Sequence, residues 1–152
     1  MLPDTLTRTQ EWFEKALPNP PERQFYVQMG VHFEEVVEMI DSLSSINRAG
    51  TDLLVGARYA LTQLANHLKN VESSNIILHS GDRLEFIDSL CDQIVTATGT
   101  GYLANMNIPG GLKEVNRSNF SKFDDDGNPV FKDNGKIGKS PNYTEPDLTP
   151  YI

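Results

Sequence analysis

Carboxylates set the chemistry open to this chain. In Val31 to Asp41, VHFEEVVEMID, the acids Glu34, Glu35, Glu38 and Asp41 recur at helical spacing. On a helix turning about 100° per residue they fall within roughly 120° of arc. Phe33, Val36, Val37, Ile40 and Leu43 lie opposite. Arg83 to Asp92, RLEFIDSLCD, repeats the arrangement: Glu85, Asp88 and Asp92 share a stripe, with Phe86, Ile87, Leu90, Cys91 and Ile94 behind it. The solvated face of an ordinary amphipathic helix has this pattern too. These two stripes, however, lack the Lys or Arg at i+4 that supports exposed acidic helices. Glu34 repels Glu38 at that spacing, and Asp88 repels Asp92. Crowded oxygen donors with no thiolate or imidazole among them suit Mg²⁺ or Mn²⁺. On two antiparallel helices they can hold an ion that neutralises phosphate charge and lets water attack.

Helices must position these side chains. Trp12, Phe13 and Leu17 mark a first segment over Thr9 to Leu17, broken by Pro18, Pro20 and Pro21. The first stripe lies on a helix expected from about Glu22 to Ile46. Asn47 to Thr51, with Gly50, reads as a turn, and a second long helix covers Asp52 to Asn70. Residues 72–82 form a connector in which Ser80 is a candidate N-cap. The second stripe follows on a helix reaching about Thr98, stopped or kinked by Gly99 and Gly101. Asn107, Pro109, Gly110 and Gly111 then interrupt, before a last helix over Leu112 to Lys122. The fold expected is all-α, an antiparallel bundle of about four to five helices.

From Phe123 the composition turns to Asp, Gly, Pro, Asn and Lys. The acidic run Asp124 to Asp126 has no register with Gly at position six and Glu at twelve, so a turn is expected rather than a calcium loop. Val130, Phe131 and the Asn134-Gly135 pair predict a short β-ribbon. Phe131, Ile137, Tyr143, Leu148 and Tyr151 are spaced as anchors of an extended strap. Residues 1–122 thus read as a helical domain, and 123–152 as a C-terminal strap of the same domain. Docked on the helical body, the strap would bring Lys139 and Tyr143 towards a substrate. Truncation after Lys122 is expected to leave a folded, poorly active helical protein.

The pairing of Glu-Glu-x-x-Glu at Glu34, Glu35 and Glu38 with Glu-x-x-Asp at Glu85 and Asp88 resembles the all-α nucleoside triphosphate pyrophosphohydrolases. That superfamily includes MazG-like proteins, dimeric dUTPases, dCTP pyrophosphatases and phosphoribosyl-ATP pyrophosphohydrolases. The segments WFEKALP, QMGVHFEEVVEM, DQIVTATGTGY, EVNRSNFSKF and KSPNYTEPDL are similar to the MazG-like branch along nearly the whole chain. Asn116 departs from that branch, where His is commoner. The resemblance implies Mg²⁺-dependent hydrolysis between the α and β phosphates, giving a nucleoside monophosphate and pyrophosphate. It implies Glu35, Glu38, Glu85 and Asp88 as metal ligands, and Glu34 as the residue that orients water or holds a second ion. Arg117, Asn119 and Lys122, then Lys139, are the candidates to meet the polyphosphate. Gln28, His32 and Tyr143 are further candidate substrate contacts. Trp12 either stacks on a nucleobase or packs in the core. The resemblance also implies a homodimer or homotetramer, with Val55, Tyr59 and Leu64 as contributors to its apolar surface.

Composition agrees with this. At 152 residues the chain suits one domain with its own core. A net charge of −8 argues against a nucleic-acid partner, which needs a basic footprint. No run of about 18 apolar residues can span a membrane, and no charged-then-apolar segment opens the chain. The Asn-x-Ser/Thr triplets at Asn116, Asn119 and Asn142 are therefore not read as glycosylation sites, and a cytoplasmic location is expected. The single cysteine, Cys91, lies on the apolar side of its helix and reads as a buried thiol rather than a nucleophile. A second class of function stays open: a non-catalytic helical protein, either a metal- or nucleotide-binding regulator or an acidic partner-binding module.

Overall fold

The computed structural model describes residues 4–71, 75–132 and 137–152. Five α-helices appear in it: α1 (Thr5–Ala16), α2 (Arg23–Asp41), α3 (Arg48–Asn70), α4 (Arg83–Leu103) and α5 (Ile108–Phe120). Short 3₁₀ turns occupy Ser80–Asp82 and Thr149–Tyr151. There is no β-strand among the described residues, so the all-α expectation holds. The chain divides into two compact units: Met1–Pro18 with Ser80–Ile152, and Asn19–His79.

The smaller unit is an antiparallel hairpin of α2 and α3. Its ties run in opposite sense along the two helices. Arg23 donates to the Leu68 carbonyl at 2.6 Å, and near the other end Arg58 meets Asp41 at 2.8 Å. The helices cross closely at Gly30, which faces Ala65, Leu68 and the stem of Lys69. A Cβ there would sit 2.6 Å from Lys69 Cγ and 2.7 Å from the Ala65 carbonyl oxygen. Gly30→Ala should therefore lower the stability by about 1–3 kcal/mol through overpacking. Gly56→Ala, with nothing within 4 Å, should raise it by about 0.5–1 kcal/mol through helix propensity. Thermal melts of both variants check this, and equal melting temperatures would contradict the close crossing.

Local capping explains why these helices differ from their expected limits. α2 ends at Asp41 rather than Ile46, because Ser42 Oγ turns back to the Met39 carbonyl at 2.6 Å. α3 starts at Arg48 rather than Asp52, because Asn47 Oδ1 accepts the Gly50 amide at 2.8 Å. Gly50 is thus in the first helical turn, and a side chain there would strike Ser45.

In the larger unit, α1 begins at Thr5 rather than Thr9. Asp4 caps it, accepting from the Leu6 and Thr7 amides at 2.9 and 3.0 Å. The Thr7 amide, chiefly, holds the Asp4 carboxyl below its ordinary range. α1 and α5 pack together around Asn116, which is buried and bonded at both its amide nitrogen and its oxygen. Its Nδ2 donates to the Thr5 carbonyl, and its Oδ1 accepts from Thr9 Oγ1, each at 3.0 Å. Trp12, Ala16 and Phe123 form the core, with Phe13, Leu17, Phe120 and Ile137 against it. The rings of Trp12 and Phe123 stack at 6.2 Å, and Trp12 Nε1 donates to the Asn119 carbonyl at 2.8 Å.

Two glycine readings need correction. α4 does not stop at Gly99 or Gly101 but continues to Leu103. Ala104 caps it, and beyond the cap Asn105 takes a left-handed φ of 61° while Met106 N bonds back to the Gly101 carbonyl at 2.9 Å. Gly101 instead makes room for the Ile108 side chain of α5. The supposed interruption at residues 107–111 is the start of α5, which therefore spans Ile108 to Phe120 rather than Leu112 to Lys122. Asn107 caps the Gly110 amide at 3.1 Å, and Pro109 stands in the first turn, where its missing N–H costs nothing.

Beyond α5 the chain turns at Asp124–Asn128, as expected, with Gly127 at φ 79°. Isolated bridges pair Phe123 with Pro129 and Phe131 with Ile137. The Asn134-Gly135 turn lies outside the described residues. The strap then lies on its own α5, through Ser118, Ser121 and Arg117. Its anchors include Phe123, only 4% exposed, so a cut after Lys122 removes part of the core. The folded truncation expected from the sequence is not what this packing supports.

Candidate active site

The two half-motifs lie on different units. Glu34, Glu35 and Glu38 stand on consecutive turns of α2, in the hairpin unit. Glu85 and Asp88 stand on the first turns of α4, in the larger unit. Glu35, Glu38, Glu85 and Asp88 are all exposed, and Glu85 also suits the positive end of the α4 dipole. Among the described residues no three of His, Cys, Asp and Glu gather as a metal-binding group. Mg²⁺ that also holds substrate phosphates takes only one or two protein carboxylates. The one-turn pairs Glu35–Glu38 and Glu85–Asp88 each fit that smaller requirement.

The α2 stripe is not a bare line of charge. Lys69, at the end of α3, places Nζ 2.6 Å from Glu34 Oε1, and Arg58 meets Asp41 at 2.8 Å. The i+4 rule missed both partners, since they come from the next helix rather than the same one. Gln28 is half-buried on α2, and His32 is exposed, its ring 6.2 Å from that of Phe33.

The remaining candidates belong to the larger unit. Trp12 packs in the core, which leaves it little face for a nucleobase. Asn119 receives Lys122 Nζ on Oδ1 at 2.8 Å, and Lys122 also lies 5.7 Å over the Trp12 ring. Lys139 sits 4.2 Å over the Tyr143 ring and 3.7 Å from Glu145.

Arg117 clamps the strap to α5. It grips Glu114 with two nitrogens and donates to Thr144 Oγ1 at 2.5 Å and the Glu145 carbonyl at 2.9 Å. Glu114, absent from the sequence-level candidates although Arg117 is its i+3 neighbour, also accepts the Asp147 amide at 3.0 Å. The Arg117 guanidinium, chiefly, and then the Asp147 amide hold the Glu114 carboxyl down to about 2. Arg117 is in turn pushed up by Glu114. A carboxyl lowered on folding stabilises above its ordinary pKa, and that contribution fades as pH falls through the folded value. Amide protection at Thr144 and Asp147 should thus persist above the ordinary 4.5 and be lost on approaching about 2. Hydrogen exchange measures this, and protection that ignored acid would remove Glu114 from the clamp. A cleft of about 800 Å³ lies beside it, lined by Thr5, Arg8, Lys113, Arg117, Phe120 and Tyr151 among others.

Cys91 is exposed, not buried. Much of the apolar side of α4 is exposed with it: Leu84 is 80% and Ile87 58% accessible. Within its unit α4 packs on α5 at its C-terminal end, where Gly101 meets Ile108. No helix among the described residues is long and apolar enough to cross a membrane. In comparisons with known proteins, no family model, no curated protein and no solved structure matches the chain.

Proposed function

We propose that this chain is a Mg²⁺-dependent nucleoside triphosphate pyrophosphohydrolase of the MazG-like kind, releasing a nucleoside monophosphate and pyrophosphate. The observation that carries the reading is the repetition of one device on two helices. Each presents an exposed carboxylate pair one turn apart, Glu35 with Glu38 and Glu85 with Asp88. These four are the proposed ligands. When bound, the metal would supply charge neutralisation for the triphosphate. Glu34, steadied by Lys69, would orient the attacking water. Arg117, Asn119, Lys122, Lys139 and Tyr143 are assigned to the phosphates, with Gln28 and His32 as lesser contacts. Arg117 would act mostly by holding the strap, since most of its N–H donors already have partners. The finer form of the strap, a β-ribbon turning at Asn134-Gly135, belongs to this proposal, as does a cytoplasmic location. Pyrophosphate release across nucleoside, deoxynucleoside and modified triphosphates tests the reading, and none from any of them would defeat it.

We further propose a homodimer or homotetramer. Val55 and Tyr59 on α3 are exposed, as are Leu84 and Ile87 on α4, while Leu64 is half-buried. Apolar residues left in this number on helix faces mark interaction surfaces. Light scattering should report a dimer or tetramer at micromolar protein, and a fully active monomer would contradict it. The rival reading, a non-catalytic helical protein that is either a metal- or nucleotide-binding regulator or an acidic partner-binding module, draws on the pairs Glu34–Lys69 and Asp41–Arg58. A stripe with its own cations has less need of metal. Binding of nucleotide or Mg²⁺ without turnover would favour that rival.

A further inference from the structure

Nothing in the proposed reaction calls for the cleft between α1 and α5. It measures about 800 Å³, within the range of about 300–1,000 Å³ common for small-molecule sites. Its walls all belong to the larger unit: α1, α5 and the last turn of the strap, which brings Tyr151. Tyr151 is fixed there. Its carbonyl accepts the Asn107 amide at 2.8 Å, and its ring lies 2.7 Å from where a Cβ on Gly110 would stand. Three cations border the cleft, Arg8, Lys113 and Arg117, on a chain whose net charge is −8. The two carboxylates of its lining are engaged: Asp4 caps α1, and Glu114 accepts from Arg117 and the Asp147 amide.

The three cations differ in what they have left to donate. Arg117 uses most of its N–H groups on Glu114, Thr144 and Glu145. Arg8 uses one nitrogen, Nη1, on Glu11 at 2.7 Å, while its guanidinium lies 3.7 Å over the Phe120 ring. Most of its N–H donors remain. Lys113 is exposed and makes no hydrogen bond or ion pair among the described residues. We infer that this cleft binds a small phosphomonoester carrying an aromatic ring, with Arg8 and Lys113 taking the phosphate and Tyr151 beside the ring. A phosphomonoester carries a charge of about −1.5 to −2 at neutral pH, which two cations match. The guanidinium fork fits phosphate oxygens bidentately, and the ammonium adds a point charge. Walls that include Phe120 and Tyr151 favour a ring in offset-stacked or edge-on contact. The site does not rest on the metal-dependent reading of the carboxylates.

The test is isothermal titration calorimetry of the full-length chain with phenyl phosphate and with adenosine 5′-monophosphate, in EDTA so that no divalent ion takes part. At least one of them should bind once per chain. Inorganic phosphate, which has no ring, should bind about tenfold more weakly. Binding of phenyl phosphate would show that ring and phosphate suffice, and binding of the nucleotide alone that the site also reads the nucleoside. Lys113→Gln and Arg8→Gln should each weaken binding about tenfold, through the loss of a charge-assisted contact. Lys139→Gln, which changes a strap cation outside the lining, should leave it as it was. Lys113→Gln decides the matter if Arg8→Gln loses its helical circular dichroism, because an exposed lysine without a partner costs the fold little. No binding of either probe at millimolar concentration would overturn the inference. So would undiminished affinity in Lys113→Gln, or a loss in Lys139→Gln equal to that in Lys113→Gln. Neither metal nor triphosphate is present, so the result is independent of pyrophosphate release.

Discussion

Glu38→Gln is expected to lower the rate of pyrophosphate release by about 100-fold or more, with the helix content unchanged. Charge stabilisation by a bound metal is worth several kcal/mol in such reactions, and each 1.36 kcal/mol is about tenfold in rate. Replacing a ligand carboxylate by its neutral isostere should forfeit much of that. Glu38 is exposed, so the fold has little to lose: surface substitutions ordinarily cost within about 0.5 kcal/mol. The choice of residue matters. Glu34→Gln would strip the buried Lys69 ammonium of its partner and confuse a catalytic defect with a folding one. Asp41→Asn, at the exposed pair with Arg58, is the control and should stay near wild-type activity. Steady-state turnover at saturating Mg²⁺, with circular dichroism alongside, checks this. A Glu38→Gln protein near wild-type rate would remove Glu38 from the ligand set.

Deletion of everything after Lys122 should unfold the larger unit rather than trim it. The cut takes away Phe123, whose ring stacks on Trp12 at 6.2 Å and meets Phe120 edge-on at 5.8 Å. Losing a buried Phe side chain alone costs about 3–5 kcal/mol, against a total of about 5–15 kcal/mol for a typical domain. Ile137 and the bond from Ser140 Oγ to the Ser121 carbonyl go with it. A cut after Pro141 keeps those elements and removes the part clamped by Arg117, including Thr144 and Glu145. That shorter deletion should stay folded and lose activity. Thermal melts and helical circular dichroism of the two truncations decide between them. A cooperative transition near the wild-type temperature for the longer deletion would show that Phe123 contributes little.

The acidic stripes and their helices were legible because helical periodicity is a local property. Glu34 to Glu38 and Glu85 to Asp88 fall on α2 and α4 as their spacing requires. What local reading missed was set by contacts between helices. Lys69 is 35 residues from Glu34, and no i+4 rule reaches it. Gly101 reads as a helix breaker until Ile108 is seen to need its space. Asn107 and Pro109 read as an interruption, although the same residues in the same order make a helix start. Cys91 reads as buried from its neighbours along the helix, yet that face of α4 is exposed. Trp12 had two readings, ligand or core, and its bond to Asn119 with the stack on Phe123 explains its packing.

The most direct test of the central claim is ³¹P NMR of a nucleoside triphosphate incubated with the protein and Mg²⁺. Cleavage between the α and β phosphates predicts pyrophosphate and nucleoside monophosphate signals growing in equal amounts, and neither signal once the metal is chelated. Orthophosphate and nucleoside diphosphate in their place, or an unchanged spectrum for every triphosphate tried, would contradict it.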